Sequence, residues 1–161
     1  MKYLVQFVFF IAMATILSAT LMAQKANDSS KPQFDAELAK KLGADEYGMK
    51  NYIFVILKTG PKDSDFKGKE RDDVFAGHMA NIERLGGEGK LALAGPFGQN
   101  DKAYRGLFIF NVATVEEAEK LIQTDPAVKA GILIAEFTPW YGSAALMMVP
   151  ELHKKVQKKS F

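Results

Sequence analysis

Two histidines occur in the 161-residue chain, and one of them, His78, falls inside the run VFAGHMANIERLGGEGKLALAGPFG. On a helical wheel it shares one broad arc with Val74, Phe75, Ile82 and Leu85, which would otherwise make an unbroken apolar face. An imidazole there has two uses. It can be a core side chain with one ring nitrogen satisfied by a carbonyl, or it can face a cleft between helix and sheet and move a proton. A base of the second kind needs an orienting carboxylate on its other nitrogen, and Asp125 is the candidate. Asp125 precedes Pro126, which is also the pattern of a helix N-cap, so spacing leaves capping and pairing both open.

Further candidates for a substrate site surround this pair. Gly95 and Pro96 end a strand, with Gly95 leaving space beside the backbone and Pro96 setting the chain direction; a simple turn explains them equally well. Arg105 suits an anionic group, although an isolated surface arginine needs no such partner. Trp140 and Tyr141 can wall a pocket or finish a subunit interface. No histidine pair stands at ligand spacing and there is no cysteine, so no metal, thiol or disulfide chemistry is expected. The glycines form neither a GxGxxG nor a P-loop pattern, and no cofactor is expected.

The elements that must position these residues follow from periodicity. Residues 52–57, YIFVIL, are uninterrupted apolar and closed by Gly60 and Pro61, a strand. A helix runs from about Glu70 to Leu85 and stops in the GGEG breaker. KLALAGPF is a second strand and GLFIFNVA a third, joined as a hairpin through GQNDKAYR. Thr114 with Glu117 makes a capping box that opens a helix over TVEEAEKLIQ. DPAVKAG is a turn ended by Gly131, and ILIAEFTPWYG is a fourth strand stopped by Pro139. The order β-α-β-β-α-β is that of the ferredoxin-like α+β unit. Its two helices cover one sheet face only, yet the strands are apolar on both sides. The open face therefore has to meet something apolar, and the expectation is a homodimer through that face.

Composition bounds the rest. The chain is 48% hydrophobic and 25% charged, which suits one globular domain. Residues 1–23 have a basic start at Lys2, an apolar run to Leu17 and small residues at Ala19 and Ala23. That is the layout of a secretory signal peptide, with a retained membrane anchor as the competing reading. Without that leader the chain has 20 basic against 19 acidic side chains, a balance that gives no electrostatic hold on nucleic acid or an anionic membrane. The expected location is exported, periplasmic or secreted, with no stable membrane association after cleavage. Residues 24–50 read as a linker with a short helix, in which Phe34, Leu38 and Leu42 recur at helical spacing before Gly43 and are expected to pack on the main domain. Residues 51–142 form that domain, and 143–161 a basic amphipathic tail.

The segments GHMANIERLGGEGKLALAGPFG, RGLFIFNV and EEAEKLIQTDPAVKAGILIAEFTPWYG resemble the YciI-like, or YCII-related, domain proteins over residues 51–142. The combination carries the resemblance: a histidine in the first helix, Ala-Gly-Pro ending the second strand, and Asp-Pro followed by Ala-Gly before the last strand. It implies a ferredoxin-like fold of the dimeric α/β-barrel type, with His78 and Asp125 as an acid/base dyad. It also implies lyase-like, dehydrochlorinase-like chemistry on a small cyclic or phenolic compound. Many members carry arginine three residues before the histidine; here that residue is Phe75, which removes an anion-binding group that only Arg71 or Arg105 could replace. The alternative function is a non-catalytic, small-molecule-binding or stress-associated dimeric module.

Overall fold

The structure, a computed structural model, describes residues 33–159. The leader expected over 1–23 and the first part of the linker lie outside the described residues. Residues from Glu37 onward form one compact unit. Its elements are α1 (Ala36–Leu42), β1 (Met49–Thr59), α2 (Gly68–Gly87), β2 (Leu91–Pro96), β3 (Tyr104–Phe110), α3 (Val115–Ile122), the one-turn α4 (Pro126–Lys129), β4 (Leu133–Ser143) and α5 (Val149–Val156). The strands make one antiparallel sheet in the order β2-β3-β1-β4. This is the ferredoxin-like α+β arrangement, with α2 and α3 as the two crossovers.

Strand alternation divides the residues between two faces. Ile53, Val55 and Leu57 of β1, Phe108 and Phe110 of β3 and Leu133 of β4 point to the helix side. There they pack with Leu85 of α2 and with Ala118 and Ile122 of α3. Tyr52, Ala92 and Ile109 form a second, smaller cluster on the opposite face, with Phe54, Leu93 and Leu107 beside them. Leu146 and Met147, in a 3₁₀ turn over Ala144–Met148, close over that cluster. Part of the open face is thus covered by the chain's own C-terminal segment rather than by another subunit. The basic amphipathic tail is also partly helical, as α5.

Local signals explain most boundaries. Thr114 accepts the Glu117 amide at 3.2 Å, and the Glu117 carboxylate reaches back to the Ala113 amide at 2.9 Å, so the capping box closes one residue early. Two expectations need correction. Pro139 does not stop β4; it pairs with Ile53 and the strand continues to Ser143. Strand β4 is an edge, and a proline whose missing N–H would face outward costs no ladder bond there. Helix α1 ends at Gly43 as read, but it buries no residue, and Phe34 before it is 76% exposed. A polar tie joins it to the domain: Lys50 Nζ donates to the Leu42 carbonyl at 3.3 Å.

Candidate active site

Helix α2 lies on the sheet through a stripe in which His78, Asn81 and Leu85 are buried. The His78 ring stacks on Phe108 of β3, centroids 5.9 Å apart, and takes the edge of Phe75 at 5.8 Å. Its Nδ1 is 2.6 Å from Asp125 Oδ2, and the Asp125 side chain is fully buried. The other carboxylate oxygen, Oδ1, accepts the Ala127 amide at 2.8 Å. Capping and pairing are therefore not alternatives: one oxygen caps α4 and the other meets the imidazole. With the carboxylate ionised, Nδ1–H donates to Oδ2, and Nε2 is the nitrogen left free to accept a proton. The histidine side chain keeps 11% of its surface exposed, so only an edge of the ring can be reached.

The helices are held close at this point. A Cβ built on Gly77 would stand 2.9 Å from Pro126 Cγ, so α2 and α4 approach to a distance that only glycine admits. One turn further along α2, Arg84 Nη2 donates to Asn81 Oδ1 at 2.8 Å and to Thr124 Oγ1 at 2.9 Å. Gly77, Asn81, Arg84 and Thr124 were not singled out from the sequence. The available signals were a glycine next to a histidine in mid-helix and a polar Asn three residues on, in the same apolar arc.

The remaining candidates separate. Gly95 and Pro96 pair with Leu107 and Gly106 at the end of β2, and the space beside Gly95 is open. Arg105 is exposed and is the extra residue where β3 bulges against β1, Leu57 pairing with Gly106 and Lys58 with Tyr104; its carbonyl accepts the Phe97 amide. Trp140 lies on the open face, 38% exposed, its ring 5.8 Å from Tyr52 and folded over Gly142. The sheet thus stands between Trp140 and His78. Arg71 stands on the same helix as His78 and reaches the Phe75 ring that edges the imidazole. Its guanidinium sits 5.0 Å from the Phe75 ring and is held by Asp63 at 2.7 Å, so the residue that replaces the family's arginine carries a cation on its face. Among the described residues no group of His, Asp and Glu is gathered to hold a metal ion.

A groove of about 740 Å³ runs elsewhere, between α3 and β4, with Ile122, Val128, Leu133 and Phe137 in its apolar lining and Glu116 and Lys120 among its polar residues. Neither His78 nor Asp125 lines it.

Comparison with known proteins gives a family model and a solved relative. No curated protein matches the chain in sequence. Among solved structures, 5-chloro-2-hydroxyhydroquinone dehydrochlorinase from Burkholderia phenoliruptrix AC1100, in complex with 2,5-dihydroxybenzoquinone, is 25% identical. The match covers 55% of this chain and 92% of that one, with a TM-score of 0.39. The family model of the YCII-related domain matches residues 52–140, more than half of the sequence, and the chain belongs to the YCII-related domain family.

Proposed function

We propose that the protein is a small cofactor-free enzyme in which His78 Nε2 takes a proton from, or returns one to, a small cyclic or phenolic compound. Asp125 holds the imidazole in the tautomer that leaves Nε2 bare and stabilises the imidazolium once it forms. The observation that carries this reading is the 2.6 Å contact between Nδ1 and a fully buried carboxylate whose second oxygen is already engaged. A core histidine can be satisfied by a backbone carbonyl; burying a carboxylate for that purpose is costly. Proton abstraction with loss of a neighbouring leaving group, a lyase-type step, is the reaction class this arrangement suits. Gly95, Pro96 and Arg105 are kept as substrate contacts; Trp140 would contribute only to a site on the open face.

Asp125→Asn is the discriminating variant. Ala127 N–H keeps the amide oxygen on its own side, so the new NH₂ points at His78 and donates to Nδ1. The fold keeps its hydrogen bond, but the ring must carry its proton on Nε2 and the base is blocked. Turnover of a responsive substrate should fall about 10²–10⁴-fold with little change in melting temperature. Unchanged turnover in this variant would remove the case for a reaction. His78→Ala is less informative, because it strands a buried charge and costs about 3–5 kcal/mol of stability.

The binding-only reading is favoured by one observation, the apolar groove lying away from His78. A thermal-shift screen of phenolic and lactone-like compounds separates the two: ligands of the groove protect the Asp125→Asn and parent proteins equally. Two further proposals follow from the sequence. Export with cleavage after Ala23 is checked by a mature N-terminus at Gln24. A homodimer through the part of the open face carrying Phe54, Ile56, Leu107 and the 42% exposed Ile134 is checked by sedimentation of the parent and of Ile134→Lys.

A further inference from the structure

Three consecutive residues after α3 each meet α2. Thr124 meets Asn81 and Arg84, Asp125 meets His78, and Pro126 stands against Gly77. Around Thr124 the side chains form a closed triangle. Arg84 Nη2 donates to both Asn81 Oδ1 and Thr124 Oγ1, and the Thr124 hydroxyl lies 2.9 Å from Asn81 Oδ1 and 2.7 Å from the Leu121 carbonyl. Its single proton serves one of these acceptors at a time. Arg84 is anchored from outside by Glu88 at 2.8 Å.

Asn81 pays for this arrangement. Arg84 can only donate, so the amide oxygen must face it and the NH₂ is turned inward. Asn81 Nδ2 is buried without a partner among the described residues. A buried donor with no acceptor destabilises a fold, and an apolar residue in this stripe would avoid it. A contact kept at that cost calls for a purpose other than stability.

We propose that Asn81, Arg84 and Thr124 are positioning residues that fix the height of the 124–126 turn along α2 and thereby set the His78–Asp125 hydrogen bond. The carboxylate is attached to the residue next to Thr124, so a slip of that turn moves Oδ2 off Nδ1 directly. The Gly77–Pro126 contact stops the turn from closing further, and the triangle stops it from opening. The effect on turnover rests on the reading of His78 as a base; the effect on the imidazole does not.

The test reads the ring itself. Long-range ¹H–¹⁵N correlation spectra give the protonation pattern of both His78 nitrogens, with His153→Gln assigning the second histidine. Thr124→Val removes the hydroxyl at nearly constant shape, and Thr124→Ser restores it. Arg84→Gln is made at the solvent-exposed rim, where folding is not at stake. The expected result is a mixed tautomer pattern in Thr124→Val and Arg84→Gln, and the parent pattern in Thr124→Ser. With a substrate, the same two variants lose about tenfold to a hundredfold in kcat with KM retained. A lower melting temperature with an unchanged nitrogen pattern in both variants overturns the proposal, as does Thr124→Ser behaving like Thr124→Val. A parent ring found protonated on Nε2 alone would instead overturn the proposed function, leaving the clamp to be judged by whether that pattern changes.

Discussion

At the scale of single residues, the site depends on one carboxylate doing two jobs. Asp125 caps α4 through Oδ1 and meets His78 through Oδ2, so the two uses open to an Asp-Pro aspartate are two separate contacts of one carboxylate. Spacing could not show that the two uses coexist, because residues 78 and 125 meet only when α2 and α4 are docked. Gly77 governs that docking. Gly77→Ala should gain about 1 kcal/mol of helix propensity and lose about 1–3 kcal/mol to overpacking against Pro126. The net loss is at most about 2 kcal/mol, a fall of several degrees in melting temperature at the upper end, while the Nδ1–Oδ2 bond lengthens and turnover drops; a melting curve beside an activity assay checks both. Phe75 was legible as a departure from the family's arginine. That a cation, Arg71, still lies over its ring was not, since the one-turn offset acquires meaning only once the rings are placed.

At the scale of elements, the apolar runs and turn residues defined the four strands and the helices α2 and α3 to within a few residues, because a buried face demands a fixed period. The failures were at edges. Strand β4 tolerates Pro139 because nothing pairs on its outer side, and α1 buries nothing although its apolar spacing was helical. What ties the chain leading into β1 to the sheet is a carboxylate. Asp45 accepts the Tyr47 and Met49 amides and the Tyr141 hydroxyl, the last at 2.5 Å. The Tyr141 bond, with the backbone donors, holds the Asp45 carboxyl below its ordinary 3.8, and the same bond pushes the Tyr141 phenol above 10.0. A depressed carboxyl contributes stability that is present above its unfolded value and is lost as pH falls through the folded one. The raised phenol contributes below 10.0 and loses that as pH rises through its folded value. Tyr141→Phe should therefore flatten the melting temperature against pH at both the acid and the alkaline end. Profiles of parent and variant that run parallel at both ends would refute the tie.

At the scale of the whole molecule, the sheet's second face is where sequence and structure part most. Apolar residues on both sides of β1 and β3 required a cover, and the physical requirement was right. The cover found on Tyr52, Ala92 and Ile109 is Leu146 and Met147 from the same chain. Replacing both by alanine should lower stability by about 2 kcal/mol, measured by urea unfolding, and should leave the His78 nitrogen pattern unchanged because the sheet intervenes. By itself the sequence determined the element order, the α+β class, the family and the two residues of the candidate pair. Each of these follows from local periodicity, capping chemistry or motif, which act within a few residues of chain. Only the tertiary structure decided that His78 and Asp125 touch, that Gly77 meets Pro126 and that Asn81 and Arg84 meet Thr124 beside them, and that Trp140 stands across the sheet from them. Those facts are set by how two helices dock on one face, a contact between residues some forty positions apart that no local pattern encodes.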